Sequence, residues 1–219
     1  MPNNIITLND VSKSYLQADK EIHVLKGINI ELEEGKFISI TGPSGSGKTT
    51  LLNIIALIDS LDSGNISIFG ENLSNLSEKN KSVLRKKNFG FVYQSNHLFD
   101  DFNAIENVSI PMILNGCSKI DAYKKSETIL DKFGLINRKS HFPNSLSAGE
   151  QQRVAIARAV ANNPRVVIAD EPTGNLDKEN SLIIFNYLME YVDSEKMTVI
   201  MATHNNELAA KCNKEIKLA

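Results

Sequence analysis

The chain has 219 residues, enough for one substantial core or for one core with a smaller appended lobe. Its 42% hydrophobic and 23% charged residues are ordinary for a soluble globular protein, and a net charge of −2 gives no electrostatic reason to expect nucleic acid as a partner. The only two cysteines, Cys117 and Cys212, have neither C-x-x-C nor metal-ligand spacing, so a disulfide framework is excluded and inert thiols in a reducing compartment are expected. Met1-Pro2-Asn3-Asn4 lacks the regions of a signal peptide. The longest apolar run, 51–58, is interrupted by Asn53 and is too short to span a bilayer. A cytosolic chain is therefore expected, with any membrane role acting through a partner.

Four short strand-like runs come first, at 5–8, 28–32, 37–40 and 65–69, separated by turn signals such as Glu33-Glu34-Gly35 and Asp62-Ser63-Gly64. A helix is expected over 49–57. The Asn-, Ser- and Lys-rich stretch at 73–87 reads as a solvated connection, and 89–93 as a further strand. From 104 to 162 the apolar spacing turns helical, as in 122–133 and 151–160, with Pro111, Gly134 and Pro143 as punctuation. After Asn162-Asn163-Pro164 the chain returns to strand and helix at 166–169, 178–192 and 198–202. The pattern predicts an α/β nucleotide-binding core with an antiparallel β portion and an inserted helical subdomain. A single domain over 1–219 is expected, with its core at about 1–94 and 164–219 and its helical part at about 95–163.

Two segments carry chemistry. Gly42-Pro43-Ser44-Gly45-Ser46-Gly47-Lys48-Thr49-Thr50 fits the G-x-x-x-x-G-K-[ST] phosphate loop, between an apolar strand and a helix. There, successive backbone N–H groups and a helix N-terminus point at one spot, which suits a polyphosphate. Lys48 would reach the β- and γ-phosphates, and the Thr49 hydroxyl would hold Mg²⁺. A plain glycine turn is the bland alternative, which the strand–helix context argues against. The second segment, Val166-Val167-Ile168-Ala169-Asp170-Glu171, reads as a fully buried strand with acids at its C-terminal edge, where open α/β sheets bind ligands. Asp170 is placed to hold Mg²⁺ and Glu171 to polarise the attacking water. Alone, the apolar run before Asp-Glu is weak; behind a phosphate loop it becomes strong.

A third segment, Leu146-Ser147-Ala148-Gly149-Glu150, resembles the Leu-Ser-Gly-Gly-Gln signature of the ATP-binding subunits of ABC transporters. The resemblance covers essentially the whole chain, and it implies ATP and Mg²⁺ as ligands. It also implies Gln94 as the loop glutamine near Mg²⁺ and water, His204 as the switch histidine at the γ-phosphate, and Tyr15 as the ring that stacks on adenine. Asp177, with Asn175 and Leu176, matches the loop that meets an opposing subunit. Ser147 opens a helix carrying Arg153 and Arg158, an anion site by its own chemistry. The family implies that Ser147 and Gly149 close over the nucleotide of a second copy in a head-to-tail dimer. Two positions depart from the signature, Ala148 and Glu150. If Ala148 opens the helix, alanine costs nothing there; if it needs φ > 0, it costs about 1–2 kcal/mol. His23, His97 and His141 read as polar or surface histidines.

Residues 169–177 are similar to a bacterial subfamily serving lipoprotein release, macrolide-type export and cell division, and residues 92–98 with 102–108 resemble its lipoprotein-releasing branch. That similarity implies separate transmembrane permease subunits, a peripheral place on the cytoplasmic face of the inner membrane, and lipoprotein release as the outcome. With its last residue at Ala219, the chain is expected to carry neither a regulatory domain nor a fused permease. Export of a macrolide or peptide and cell-division signalling are the alternatives. A soluble ATPase acting on DNA or ribosomes would carry a coiled-coil insertion or two cassettes, and neither is legible here.

Overall fold

The computed structural model describes residues 4–17, 20–73 and 76–218. A long antiparallel ribbon comes first, β1 (Asn4–Gln17) and β2 (Lys20–Glu33). Then follow β3 (Phe37–Thr41), α1 (Lys48–Ile55), β4 (Ser63–Ile68), β5 (Glu71–Asn72), α2 (Glu78–Asn88) and β6 (Phe89–Tyr93). Three helices come next, α3 (Ala104–Leu114), α4 (Lys119–Lys132) and α5 (Ala148–Val160). The chain closes with β7 (Val166–Asp170), α6 (Lys178–Glu195), β8 (Thr198–Ala202), the single-turn α7 (Asn206–Ala209) and β9 (Lys214–Lys217).

The strands form two sheets. One is antiparallel, in the order β2-β1-β4-β5; the other is parallel, in the order β6-β7-β8-β3-β9. Every residue of β3 and β8 is buried, as expected of parallel strands covered on both faces. Successive residues of this sheet feed two different cores, because side chains alternate along a strand. Phe37, Val167, Ala169, Val199 and Met201 pack toward α3–α6, where Phe37 stacks on Phe185 at 5.0 Å. Ile38, Ile40, Val166, Ile168 and Ile200 pack toward α1 and the antiparallel sheet. Helix α1 is thus held between the two sheets, with Leu51, Leu52, Ile54 and Ile55 buried.

Three expectations are corrected. The connection read at 73–87 contains α2, a helix with no buried residue, capped by Ser77 and ending in Arg85, Lys86 and Lys87. With only Val83 and Leu84 apolar, the helix has no apolar stripe to announce it; Leu84 packs on the core while Val83 stays exposed, and its cap and terminal charges add to its stability. Pro111 does not end a helix but lies inside α3, which runs three residues beyond it. The runs at 5–8 and 28–32 are fragments of the much longer β1 and β2, whose register shifts between Leu8 and Val11 carry the ribbon past the polar Asn9 and Asp10.

Strand β6 crosses α5 at Gly90, where an added Cβ would fall inside the van der Waals shell of the Ala159 carbonyl oxygen. Gly90→Ala is expected to destabilise the protein by about 2 kcal/mol or more through overpacking. A melting temperature equal to wild type in calorimetry would contradict this.

Candidate active site

The parallel register aligns four strand ends. Tyr93 of β6 faces Asp170 of β7, Asp170 faces Ala202 of β8, and Ala202 faces Ile40 of β3. The next residues, Gln94, Glu171, Thr203 and Thr41, therefore leave the sheet at one level. The glycine loop, Asp170, Glu171 and His204 emerge from that single edge.

After β3 the chain enters the glycine loop, where Gly42, Gly45 and Gly47 all have φ in the region L side chains avoid, at 155°, 83° and 88°. At Gly47 a side chain is excluded twice over, since its Cβ would lie 2.8 Å from Leu25 and 2.9 Å from Val24 of β2. The Lys48 ammonium donates to the Gly42 and Pro43 carbonyls at 2.9 and 3.0 Å, curling over the loop. The Ser46 hydroxyl is buried there and has no hydrogen-bond partner. Helix α1 starts from left-handed Gly47 with no side-chain cap and no acid in its first turn. Every other α-helix among the described residues has a side-chain cap, from Ser77, Asn103, Ser118, Ser147, Asp177 or Asn205. An uncapped N-terminus beside a lysine and an unsatisfied hydroxyl is chemically complementary to a polyphosphate.

Facing the loop, the Thr49 hydroxyl donates to Asp170 at 2.9 Å across 121 residues of sequence. Both are oxygen donors suited to a hard divalent cation. Among the described residues no cluster of three or more His, Cys, Asp or Glu forms a metal cage, so a cation there would take its other ligands from phosphate and water, as Mg²⁺ does. Glu171 has φ 48°, a conformation costing a non-glycine residue about 1–2 kcal/mol. Its N–H is fixed by the Ala202 carbonyl at 3.0 Å, and its carboxylate accepts from His204 Nδ1 at 2.9 Å and from the His204 N–H at 3.3 Å. Gln94 and Asn175 bond reciprocally: Gln94 Nε2 donates to Asn175 Oδ1 at 3.0 Å, and Asn175 Nδ2 donates to the Gln94 carbonyl at 3.2 Å.

The remaining expected residues lie further out. Ser147 caps α5 in a reciprocal box with Glu150: its hydroxyl accepts from the Glu150 N–H at 3.3 Å, and Glu150 accepts from the Ser147 N–H at 2.8 Å. Ala148 is the first residue of α5 and has no positive φ, so it carries no strain. Gly149 is buried with the Asn180 side chain where its Cβ would be, which gives this glycine a packing reason of its own. Asp177 caps α6 through the Asn180 N–H at 2.8 Å. Tyr15, on β1, is partly exposed and donates its phenol to Asp59.

One residue passed over in the sequence is His97. It lies at positive φ with its ring 5.1 Å from Tyr93, and Arg158 donates to its carbonyl at 2.7 Å and to that of Asn96 at 2.7 Å. His97 and Arg158 line a groove of about 560 Å³ together with Arg85, Phe91, Phe99 and Leu114. Nothing in single-residue spacing marks this groove, since its walls come from α2, β6, α3 and α5.

A phosphate loop at the end of a buried parallel strand, facing an acid pair at the end of a parallel strand one place removed in the same sheet, defines a P-loop nucleoside-triphosphate hydrolase. A family model described as ABC transporter matches residues 25–174, and the chain belongs to that family as an ATP-binding, ATP-hydrolysing cassette. It is 42% identical to the lipoprotein-releasing system ATP-binding protein LolD of Nitrobacter hamburgensis, over 98% of this chain and 92% of that one. It is also 42% identical to an uncharacterized ABC transporter ATP-binding protein of Methanocaldococcus jannaschii, over 98% of this chain and 95% of the relative. Among solved structures it is similar to the ATP-binding cassette MJ0796 in a dimeric post-hydrolysis state bound to ADP and Pi, with TM-score 0.90 and 36% identity over 97% and 94% of the two chains.

The Ser147 N–H, together with Arg138, holds the Glu150 carboxyl below its ordinary value of 4.5. A lowered carboxyl stabilises the fold above its unfolded pKa and loses that contribution as pH falls through the folded one. The melting-temperature difference between wild type and Glu150→Gln is therefore expected to be positive at pH 7 and to shrink toward zero below pH 4. A difference independent of pH would contradict the assignment.

Proposed function

We propose that this cassette is the ATPase subunit of a complex that releases lipoproteins from the inner membrane of a bacterium. The observation carrying the catalytic part is the convergence of Lys48, Thr49–Asp170 and Glu171–His204 at one sheet edge. In this reading the loop from Gly42 to Thr50 cradles the phosphates with its backbone N–H groups, and Lys48 leaves its carbonyl partners for the β- and γ-phosphates. Thr49, Asp170 and Gln94 would hold Mg²⁺, which when bound would supply positive charge against that of the phosphates. Glu171 orients the attacking water and accepts its proton, and His204 Nδ1 fixes the direction of that carboxylate. Tyr15 stacks on adenine.

Ser147, Gly149 and Asp177 act on the nucleotide of a second copy. Their setting supports this, because the N-termini of α5 and α6 meet through Gly149 and Asn180 and present one polar surface. A C₂ head-to-tail pair then holds two nucleotides at its interface. The groove beside Gln94 receives a segment of a separate permease. The protein would sit peripherally on the cytoplasmic face; among the described residues no helix is long and apolar enough to cross a membrane. Lipoprotein cargo rests on the name of the bacterial relative. Because identity is equal to an archaeal relative whose cargo its name does not give, export of another substrate is kept as the second reading.

Glu171→Gln is expected to retain MgATP affinity, lower kcat at least about a hundredfold, and dimerise in MgATP by light scattering. Lys48→Ala is expected to lose binding in calorimetry. Undiminished turnover in Glu171→Gln would refute the carboxylate's role. A membrane pull-down with tagged Glu171→Gln in MgATP separates the cargoes: a lipoprotein-releasing permease supports this proposal, and an exporter or division-type permease overturns it while sparing the catalytic roles.

A further inference from the structure

Stacking uses the face of Tyr15, and a phenylalanine would serve that purpose equally, so the hydroxyl needs its own explanation. It donates to Asp59, in the turn just after α1. Asp59 is itself held, accepting from the Ser60 N–H at 2.7 Å and pairing with Lys13 at 3.4 Å. Lys13 is 7% exposed, and it bridges to Asp62 at 3.2 Å while its ammonium stands 5.2 Å from the centre of the Tyr15 ring. The other oxygen of Asp62 accepts from the Ser14 N–H at 2.6 Å. Three consecutive residues of β1 are thus fastened to the turn that continues the phosphate-loop helix.

The charges are stable in this arrangement. Burial opposes ionisation of both partners, yet Tyr15, the Ser60 N–H and Lys13 outweigh it and hold the Asp59 carboxyl below its ordinary range. Asp62 and Asp59 likewise outweigh burial and raise Lys13. An ionised acceptor makes the phenol bond a charge-assisted one.

We propose that Asp59 is a positioning residue for the nucleobase, fixing the Tyr15 ring relative to the phosphate loop through the phenol hydroxyl, with Lys13 as its buried counter-ion. The proposal rests on Tyr15 being the adenine-stacking residue. A ring held in place before binding loses less freedom when the base arrives, so the bond contributes to affinity without touching the nucleotide. The hydroxyl, rather than the ring alone, then sets the distance between base and phosphate subsites.

The test compares two probes: the Kd for MgATP, and the inhibition constant of inorganic tripolyphosphate, which carries the phosphates without a base. Tyr15→Phe and Asp59→Ala are each expected to weaken MgATP about fivefold, the double variant no more than either single one, with tripolyphosphate unchanged in all three. A Tyr15→Phe protein that binds MgATP like wild type overturns the proposal, and so does an equal loss for both probes, which marks a merely structural role. Tyr15→Phe removes one partly exposed hydroxyl and keeps the test intact if Asp59→Ala fails to fold. Tyr15→Ala separates the two claims. Unchanged MgATP affinity there refutes stacking itself, whereas a loss in Tyr15→Ala without one in Tyr15→Phe refutes only the part given to Asp59.

Discussion

The aligned register of β6, β7, β8 and β3 is the constraint on which the rest of the molecule depends. Parallel strands cannot be joined by tight turns, so each must be followed by a crossover that returns the chain to the starting edge. The loops at the opposite edge are thereby left together, and here they carry Gln94, Glu171, His204 and the glycine loop. No strand brings more than two chemically active residues. Their proximity comes from registers such as Tyr93–Asp170 and Asp170–Ala202, which the apolar alternation of the strands fixes.

That edge also combines an uncapped helix start with a strained acid. Helix α1 begins without the side-chain cap that the other α-helices have, and Glu171 sits at positive φ, held by the Ala202 carbonyl and His204. Unused N–H donors and a strained acid are costs that surrounding packing must offset. The two cores on either face of the parallel sheet supply that packing, and the contact of Gly47 with Val24 and Leu25 brings the antiparallel ribbon against the loop itself. Helix α5 extends the same frame outward. Its Gln152 donates to the Tyr93 carbonyl at 3.0 Å, and its Arg158 holds Asn96 and His97, while Ser147 caps its other end. A displacement at the groove and one at Ser147 are therefore linked through a single rigid helix.

Much of this was legible in the sequence because it is encoded locally. The glycine loop states its own backbone geometry, and the buried runs leading to Gly42 and Asp170 need no distant partner to be read as strands. What escaped reading depends on partners remote in the chain, or on the absence of an apolar pattern. Helix α2 has only two adjacent apolar residues, Val83 and Leu84, and β9 is a four-residue edge strand with only Ile216 partly buried. Gly149 resembles a phosphate contact in sequence, but its need for a hydrogen in place of a side chain traces to Asn180, 31 residues away. The phenol acceptor Asp59 lies 44 residues from Tyr15, in a turn whose composition reads as ordinary.

The most direct test of the central claim is hydrogen exchange on Glu171→Gln protein with and without MgATP, read peptide by peptide. Slower exchange is expected in the peptides spanning 42–50, 170–172 and 203–205, the three loops the register brings to one edge. Protection elsewhere with these three unchanged would mean that the nucleotide does not bind at the aligned strand ends.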